Sequence, residues 1–170
     1  MDRYRRHRLG SFALLVLVAA VLLRPWEAVQ KDGGSGPVAA DAYVVRVIDG
    51  DTVEARFDSQ IEDVRMIGVD TPETVKPGTP VQCFGPRASR FEHRLLEQRR
   101  VHLVFGVERR DIYGRLLAYV HLGPLFVNAE LLRRGLARTL AIAPNTRFAS
   151  RFRGLELKAA RNGKGLWGVC

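Results

Sequence analysis

Runs of β-branched and apolar residues, separated by turn pairs, fill the first part of the chain after residue 40. Tyr43–Ile48 ends at Asp49-Gly50, and Thr52–Phe57 alternates apolar and polar residues as a half-buried strand does. Val64–Val69 is a third run, which closes at Asp70-Thr71-Pro72. Short turns between consecutive runs favour antiparallel pairing, so the pattern predicts a three-stranded meander.

Helical and strand patterns are mixed in the rest of the chain. The hydrophobic spacing predicts a helix at Arg87–Gln98, strands at Val101–Val107 and Leu116–Leu122, and helices at Val127–Arg134 and Arg147–Arg161. The order βββ-α-ββ-α-α is typical of an α+β fold that is mainly β. We therefore expect a five-stranded OB-type barrel with about three packed helices.

The first 29 residues have the pattern of a targeting segment. A basic cluster at residues 3–8 precedes an uninterrupted apolar run, Phe12–Leu23. Its 12 residues span roughly 18 Å, short of the ~30 Å hydrocarbon core of a bilayer, and that length suits a signal sequence. No small-x-small cleavage site closely follows Leu23, which favours an uncleaved signal anchor over a cleaved signal peptide. The first alternative predicts a membrane-anchored protein with an extracytoplasmic body, and the second a secreted protein.

Composition divides the remainder into a linker and one domain. Residues 30–40 are rich in Gly, Ser, Pro and Ala, which predicts a flexible linker, and residues 41–170 form the expected folded body. The body carries 21 Lys and Arg against 15 Asp and Glu, so the chain's net charge of +9 is not confined to the targeting segment. This excess of positive charge indicates a polyanionic partner, either nucleic acid or an anionic membrane surface. The alternative is a basic surface that binds neither. No protein partner is predicted.

The two cysteines, Cys83 and Cys170, fit no zinc-binding motif. They are the only pair in the chain, and the targeting segment places them in a compartment that favours oxidised thiols. We therefore expect a disulfide that ties the C-terminal tail to the region before the first helix. Two unrelated thiols are the alternative.

Acidic residues cluster at the strand ends. Asp49 and Asp51 flank a glycine after the first strand, Asp70 and Glu73 follow the third, and the run at 111–115 precedes the fifth. Each cluster alone is typical of turns and caps. However, carboxylates from adjacent strand ends could together bind a hard cation such as Ca²⁺, which prefers oxygen ligands.

The acidic clusters are specific only when they are considered together with the motifs around them. IDGDTV, then R-x₄-DTPET, then YGR-x-LAY and VN-x₂-L-x₃-GLA occur in this order, and together they resemble the staphylococcal nuclease (thermonuclease) family over residues 43–167. The resemblance implies a Ca²⁺-dependent endonuclease that hydrolyses DNA, RNA or both with low sequence selectivity and leaves 3′-phosphate ends.

The resemblance also assigns metal ligands to this chain. Asp51 and Asp70 match the Ca²⁺ carboxylate ligands, and Thr71 matches the residue that provides a backbone carbonyl. Asp49 matches an acid close to the metal that does not bind it directly. Carboxylate and carbonyl oxygens suit Ca²⁺.

The remaining matched residues contact substrate and water. Arg65 and Arg115 match two arginines that hold the scissile phosphate, and Glu73 matches the carboxylate that activates or orients water. Tyr113 matches a tyrosine near the terminal phosphate of the nucleotide. Two guanidiniums and a metal ion can stabilise the charge that builds up on phosphoryl oxygens.

Three positions depart from the family pattern. Leu140 and Ile142, just before Pro144-Asn145, stand where the family has tyrosines that line the base and sugar pocket, and Ile112 replaces a lysine. We therefore expect base stacking and one phosphate contact to differ from those made in the family.

Two alternatives to an enzyme stay open. One is a catalytically inactive nucleic-acid-binding OB module tethered to the membrane, since OB barrels bind single strands without chemistry. The other is a membrane-tethered scaffold. The presence of Glu73 together with Arg65, Asp70 and Arg115 favours the enzyme, because a pure binding module has no need of Glu73.

Overall fold

The structure, a computed structural model, describes residues 39–57, 59–74, 78 and 80–170. The predicted targeting segment, residues 1–29, and residues 30–38 of the predicted linker lie outside the described residues. No helix in the described ranges is long and apolar enough to cross a membrane.

Eight strands and four helices make up the described chain. The strands are β1 Ala39–Val47, β2 Thr52–Phe57, β3 Gln60–Met66, β4 Gly68–Asp70, β5 Arg100–Arg110, β6 Leu116–Leu122, β7 Leu125–Phe126 and β8 Arg138–Leu140. The helices are α1 Gly85–Leu96, α2 Val127–Arg134, α3 Ala149–Arg161 and α4 Leu166–Val169.

Five of the strands form a closed barrel. Strands β3, β2, β1, β5 and β6 pair antiparallel in that order, and a parallel pairing between β3 and β6 closes the circle. The first three form the predicted meander. The short β7 extends the edge of β6, while β4 and β8 form a separate two-stranded sheet. This architecture confirms the predicted α+β, mainly β fold of the OB type.

The first strand begins earlier than the sequence predicted. Ala39 and Ala40 belong to β1 because they pair with Val104 and Leu103 of β5. The predicted linker, residues 30–40, is therefore too long by two residues. Its composition resembled a linker, and pairing with β5, which the local sequence does not reveal, extends the strand against the low strand propensity of alanine.

The third predicted strand is interrupted at Ile67 and divides into β3 and β4. Gly68 has a positive φ of 80°, and a Cβ at that position would approach the ring of Phe152 to 2.6 Å. Glycine therefore lets the chain turn against α3 and leave the barrel. As a result, Asp70 at the end of β4 pairs with β8 rather than with the meander.

The core fills the barrel and continues under α2 and α3, where aliphatic residues and Phe152 are buried. The polar side chain of Asn128 is also buried within this core. Asn128 at the start of α2 is fully buried, accepts a hydrogen bond from Val120 N at 2.9 Å and donates one to Ile67 O at 2.9 Å. It satisfies one backbone group of β6 and the carbonyl at the turn between β3 and β4, and thereby ties that turn to β6.

A disulfide joins Cys83 to Cys170, with their Cα atoms 5.9 Å apart. It connects the residues just before α1 to the C-terminal residue, across a separation of 87 residues. In the chain-entropy view, closing a loop of this length stabilises the folded state by about 4–5 kcal/mol. The bond keeps the tail against the loop that follows β4.

Candidate active site

The site is built around the turn between β1 and β2. The backbone amides of Ile48 and Asp49 donate to Thr52 O, and Asp51 N donates to Asp49 Oδ1 at 3.0 Å. Gly50 lies against the loop after β4, because a Cβ there would come within 2.8 Å of Thr71 Oγ1. The glycine thus allows the turn and this loop to touch.

The carboxylate of Asp51 connects these two loops and is 4% exposed. Its Oδ2 accepts hydrogen bonds from Thr71 N at 2.7 Å and from Thr71 Oγ1 at 3.0 Å. Its Oδ1 forms an ion pair with Arg65 Nη1 at 3.0 Å and accepts a weaker hydrogen bond from Thr52 Oγ1. Residues that lie 20 positions apart in the chain are therefore brought together by one side chain.

Arg65 projects from β3 and lies between two carboxylates. Its Nη1 also donates to Val69 O at 2.9 Å and to Met66 O at 3.2 Å, and its Nη2 pairs with Asp70 Oδ1 at 3.2 Å. The Arg65 side chain is 13% exposed, whereas that of Asp70 is 54% exposed. Asp51 and Asp70, both predicted ligands, thus converge on one guanidinium.

The positive charge around Asp51 does not fully compensate for the burial of its carboxylate. Burial, the largest influence, raises the pKa of Asp51 to about 7, and the neighbouring Asp49 raises it further, while Arg65 and the Thr71 amide act in the opposite direction. Removing a carboxylate from water disfavours its ionised form more than one arginine compensates. An additional cation next to Asp51 would favour ionisation.

The donor atoms suit a hard cation. No set of three or more His, Cys, Asp or Glu side chains in the described ranges is arranged to hold a metal ion. The carboxylates of Asp51 and Asp70, which both pair with Arg65, and the backbone carbonyl of Thr71 are nevertheless oxygen donors of the type that Ca²⁺ prefers. Because Asp51 is buried with a deficit of positive charge, these residues fit a cation.

Glu73 lies in the loop between β4 and α1. Its Oε1 accepts a hydrogen bond from Thr74 N at 2.8 Å, and its backbone exchanges hydrogen bonds with Gln82, through N to Gln82 Oε1 and through O from Gln82 N. Gly85 at the start of α1 packs against the same loop, since a Cβ there would come within 2.9 Å of Pro72 O. The loop is therefore held by α1 and by the residues next to Cys83.

Arg115 is positioned by Asp111, a residue to which the sequence analysis gave no role. Asp111 Oδ2 accepts from Arg115 Nε at 2.8 Å and pairs with Nη2 at 2.7 Å, while Oδ1 accepts from the backbone amides of Tyr113 and Arg115. Burial tends to raise the pKa of Asp111, but these bonds to Arg115 and Tyr113 lower it overall. In the sequence, the Asp-x₃-Arg spacing around the glycine turn was the signal that could have indicated this contact between Asp111 and Arg115.

Arg65 and Arg115 border the same cavity, which has a volume of about 340 Å³. Tyr113, Leu140 and Ile142 are also on its walls, and the guanidinium of Arg115 lies 5.3 Å from the centre of the Tyr113 ring. The structure thus brings the two predicted phosphate-binding arginines together with the altered base-pocket positions.

The predicted metal ligands lie beside this cavity. Asp70 and Thr71 line a smaller cavity of about 160 Å³, together with Arg138 and the disulfide. Arg65 connects the two cavities, since it lines the larger one and pairs with Asp70 at the edge of the smaller one. The arrangement places cationic groups and convergent carboxylates next to each other, as is needed to bind a phosphate through a metal ion and arginines.

Asn145 fixes the loop that carries Leu140 and Ile142. Its Nδ2 donates to Glu108 O at 2.8 Å, and its Oδ1 accepts from Glu108 N at 3.1 Å. The fit requires Gly106, because a Cβ at that position would meet the Asn145 amide at 2.5 Å.

Glu92 on α1 is a second acidic residue that the sequence analysis did not single out. Its side chain is completely buried, and neither carboxyl oxygen has a hydrogen-bond partner within the described chain. Burial, followed by the charges of Asp51 and Asp49, raises the pKa of Glu92 well above its ordinary value. The four-residue spacing of Ala88, Glu92 and Leu96, which places all three on one helix face, was the signal.

Comparisons with known proteins agree with this geometry. A family model described as staphylococcal nuclease homologue matches residues 63–169. A thermonuclease of Staphylococcus intermedius is 41% identical over 159 residues, covering 91% of this chain and 95% of that protein. A thermonuclease of Staphylococcus hyicus is 39% identical over 160 residues, with the same coverage. Endonuclease YncB of Bacillus subtilis is 40% identical over 124 residues, covering 72% of this chain and 59% of that protein.

The buried carboxyl of Glu92 predicts a stability that depends on pH. In the unfolded chain Glu92 ionises near pH 4.5, whereas in the folded state it stays protonated to higher pH. Its contribution to stability is therefore fully present below about pH 4.5 and is lost as pH rises through the folded-state pKa, at about 1.4 kcal/mol per pH unit. Because glutamine does not ionise, Glu92→Gln abolishes this loss. The free energy of unfolding of the variant should therefore increase relative to that of the native protein as pH rises.

Urea unfolding between pH 4 and pH 7, with a chelator present, measures this difference. Asp63→Asn, at an exposed position on β3, is the control and should follow the native profile. A stability difference between Glu92→Gln and the native protein that does not change with pH would contradict the prediction.

Proposed function

The chain belongs to the staphylococcal nuclease family, and from this membership we propose that it is a Ca²⁺-dependent endonuclease that cleaves DNA, RNA or both with low sequence selectivity. The observation that carries the proposal is the position of Arg65, which pairs with Asp51 and Asp70 and borders the same cavity as Arg115. A phosphodiester in that cavity would meet two guanidiniums and lie next to two carboxylates suited to a cation. Contacts made mainly to phosphate explain low sequence selectivity.

Each residue has a defined role in the proposed reaction. Asp51, Asp70 and the Thr71 carbonyl would hold Ca²⁺, and the ion would supply positive charge to the phosphoryl oxygens. Arg65 and Arg115 hold the scissile phosphate and stabilise the negative charge that its oxygens gain during attack.

Water attacks the phosphorus with its proton directed to Glu73. The bond to the 5′ oxygen then breaks, the leaving oxygen takes up a proton, and a 3′-phosphate remains. Asp49 and Asp111 act as positioning residues, because Asp49 accepts from the Asp51 amide and Asp111 orients the Arg115 guanidinium.

Activity measurements on purified full-length protein test this mechanism. Chelation should abolish hydrolysis and Ca²⁺ should restore it. Glu73→Gln should reduce turnover about 10²-fold or more by loss of general-base assistance. Arg65→Ala and Arg115→Ala should each remove roughly 3–4 kcal/mol of transition-state stabilisation. Since Arg65 also supports Asp51, its variant is compared with the native protein by thermal unfolding as well.

Two controls complete this test. Glu97→Gln removes one negative charge outside the site, and Arg46→Ala removes one guanidinium that pairs with Glu54 on the barrel surface. Both should keep native activity. Hydrolysis that survives chelation, or a Glu73→Gln variant as fast as the native protein, would exclude the mechanism and favour the catalytically inactive binding module.

The altered base pocket leads to a second expectation. Leu140 and Ile142 are 40% and 60% exposed on the cavity wall, and an aliphatic side chain cannot stack on a base as tyrosine does. Base stacking on an aromatic ring contributes about 1–3 kcal/mol. Ile142→Tyr should therefore tighten the binding of an inhibitory mononucleotide by roughly five- to a hundredfold.

Inhibition measurements on full-length protein provide the comparison. Ile61→Tyr replaces an exposed isoleucine on β3 that does not line this cavity, and it should leave affinity unchanged. Unchanged or weaker affinity in Ile142→Tyr would argue against the assignment of this cavity to the nucleotide base.

Location of the body outside the cytoplasm is part of the proposal. Residues 1–29 are proposed to act as an uncleaved signal anchor, on the basis of the basic cluster followed by Phe12–Leu23. A fusion of residues 1–40 to an export-dependent reporter should be active and membrane-associated, and Leu17→Arg within the apolar run should abolish export. A native fusion stranded in the cytosol would refute the location, whereas release into the medium would indicate cleavage.

A further inference from the structure

Away from the candidate active site, six basic side chains line one groove. Its cavity has a volume of about 670 Å³, within the range of ligand-binding pockets. The six come from α1, from the end of α2 and from the loop that precedes α4, and all are exposed: Arg87, Arg90, Arg94, Arg133, Arg134 and Lys164. We call this surface the basic groove.

The positive charge of the basic groove is largely uncompensated. Glu130 is its one acidic lining residue, and it is already paired with both Arg133 and Arg134. In residues 39–57, 59–74, 78 and 80–170, no ion pair involves Arg87, Arg90, Arg94 or Lys164. Like charges held together without counter-charges repel each other, which favours binding of an anion.

Helix stability does not explain this arrangement. Cations favour the last turn of a helix, which accounts for Arg94 on α1 and for Arg133 and Arg134 on α2. Arg87, in contrast, lies in the first turn of α1, where the helix dipole disfavours a positive charge and no acidic residue is present. Its position therefore costs helix stability.

Two of the guanidiniums are supported by aromatic rings in the walls. Arg87 lies 5.3 Å from the ring centre of Phe84, and Arg134 lies 4.9 Å from that of Phe91. Stacking limits the conformations of these long side chains before any ligand arrives. Planar guanidiniums held in this way suit the bidentate binding of phosphate oxygens.

The basic groove adjoins the cavity that contains the predicted metal ligands. That cavity is lined by Asp70, Arg138, Cys83 and Leu166, and the last two are chain neighbours of Phe84 and Gly165 in the basic groove. A polyanion bound at Arg65 and Arg115 can therefore continue past Arg138 into the basic groove. None of the large apolar residues that are exposed in the described chain lines the groove, and its two phenylalanine rings are only half-exposed beneath guanidiniums, which does not favour insertion into a bilayer.

We propose that the basic groove is a second, non-catalytic site that binds the phosphate backbone of the nucleic-acid strand on which the candidate active site acts. This inference rests on the proposed function for the identity of the strand. A strand held at both places would bind more tightly than a short substrate that reaches the active site alone. Affinity should therefore rise with strand length and fall with salt.

The decisive variant of the full-length protein is Arg87→Gln/Arg90→Gln/Lys164→Gln. None of these three residues takes part in an ion pair with another described residue, so no described carboxylate loses its partner, and glutamine keeps the helix propensity of α1. The matched control, Arg56→Gln/Arg99→Gln/Arg161→Gln, removes the same charge at exposed positions outside the groove.

Binding of a labelled 20-nucleotide single strand is measured in chelator, so that no hydrolysis occurs. The groove variant should bind about tenfold or more weakly than native, and its slope of log affinity against log salt should be about 2 smaller in magnitude, because three phosphate contacts at ~0.7 each are lost. The control variant should bind within about threefold of native. With Ca²⁺, both variants should hydrolyse a dinucleotide at the native rate, which also shows that they are folded.

Several outcomes would overturn the proposal. Equal strand affinity in the groove variant and the native protein excludes the site, and so does an equal loss in the control variant. Reduced binding to vesicles of phosphatidylcholine and phosphatidylserine, with strand binding intact, assigns the groove to a membrane surface instead. If the native protein hydrolyses nothing, the proposed function fails, but the strand-binding comparison still decides whether the groove binds nucleic acid.

Discussion

The burial of the Asp51 carboxylate is the constraint on which the candidate site depends. A carboxylate removed from water must find hydrogen bonds and positive charge, and Asp51 obtains them from Thr71 and Arg65. These contacts join the β1–β2 turn, strand β3 and the loop after β4. Arg65 continues the connection to Asp70 and to the carbonyl of Val69. Loss of the Asp51 side chain would therefore remove the contacts that join the β1–β2 turn to Arg65 and to Thr71.

This interaction leaves the site short of positive charge. Arg65 serves two carboxylates, and the burial of Asp51 still raises its pKa to about 7. Glu92, buried without a hydrogen-bond partner among the described residues, adds a further acidic group within the electrostatic influence of Asp51. Such an arrangement costs stability in the free protein, and a bound cation would relieve it. Functional sites commonly retain unfavourable electrostatics of this kind.

Charge is separated across the molecule in a way that fits a polyanionic substrate. The carboxylates of Asp51 and Asp70 lie against Arg65, while basic side chains, four of them without an ion-pair partner among the described residues, line the groove between α1 and α2. The disulfide from Cys83 to Cys170 lies between the two regions and holds the loop after β4 against the C-terminal tail. A single covalent bond thus stabilises the boundary between the proposed active site and the proposed strand-binding groove.

Local patterns in the sequence determined the elements and the family. Turn pairs and two-residue alternation predicted the meander, and the ordered motifs from IDGDTV to GLA identified a nuclease-like barrel, because both depend on residues close in the chain. The early start of β1 and the break at Gly68 were missed, since they are decided by pairing with β5 and by the ring of Phe152. The tertiary structure alone decided that Asp51 accepts two hydrogen bonds from Thr71, that Glu92 is buried, and that Arg87 and Lys164 share one groove. The physical reason is barrel closure: the parallel pairing of β3 with β6 joins segments about 50 residues apart, and local sequence carries little information about contacts over such separations.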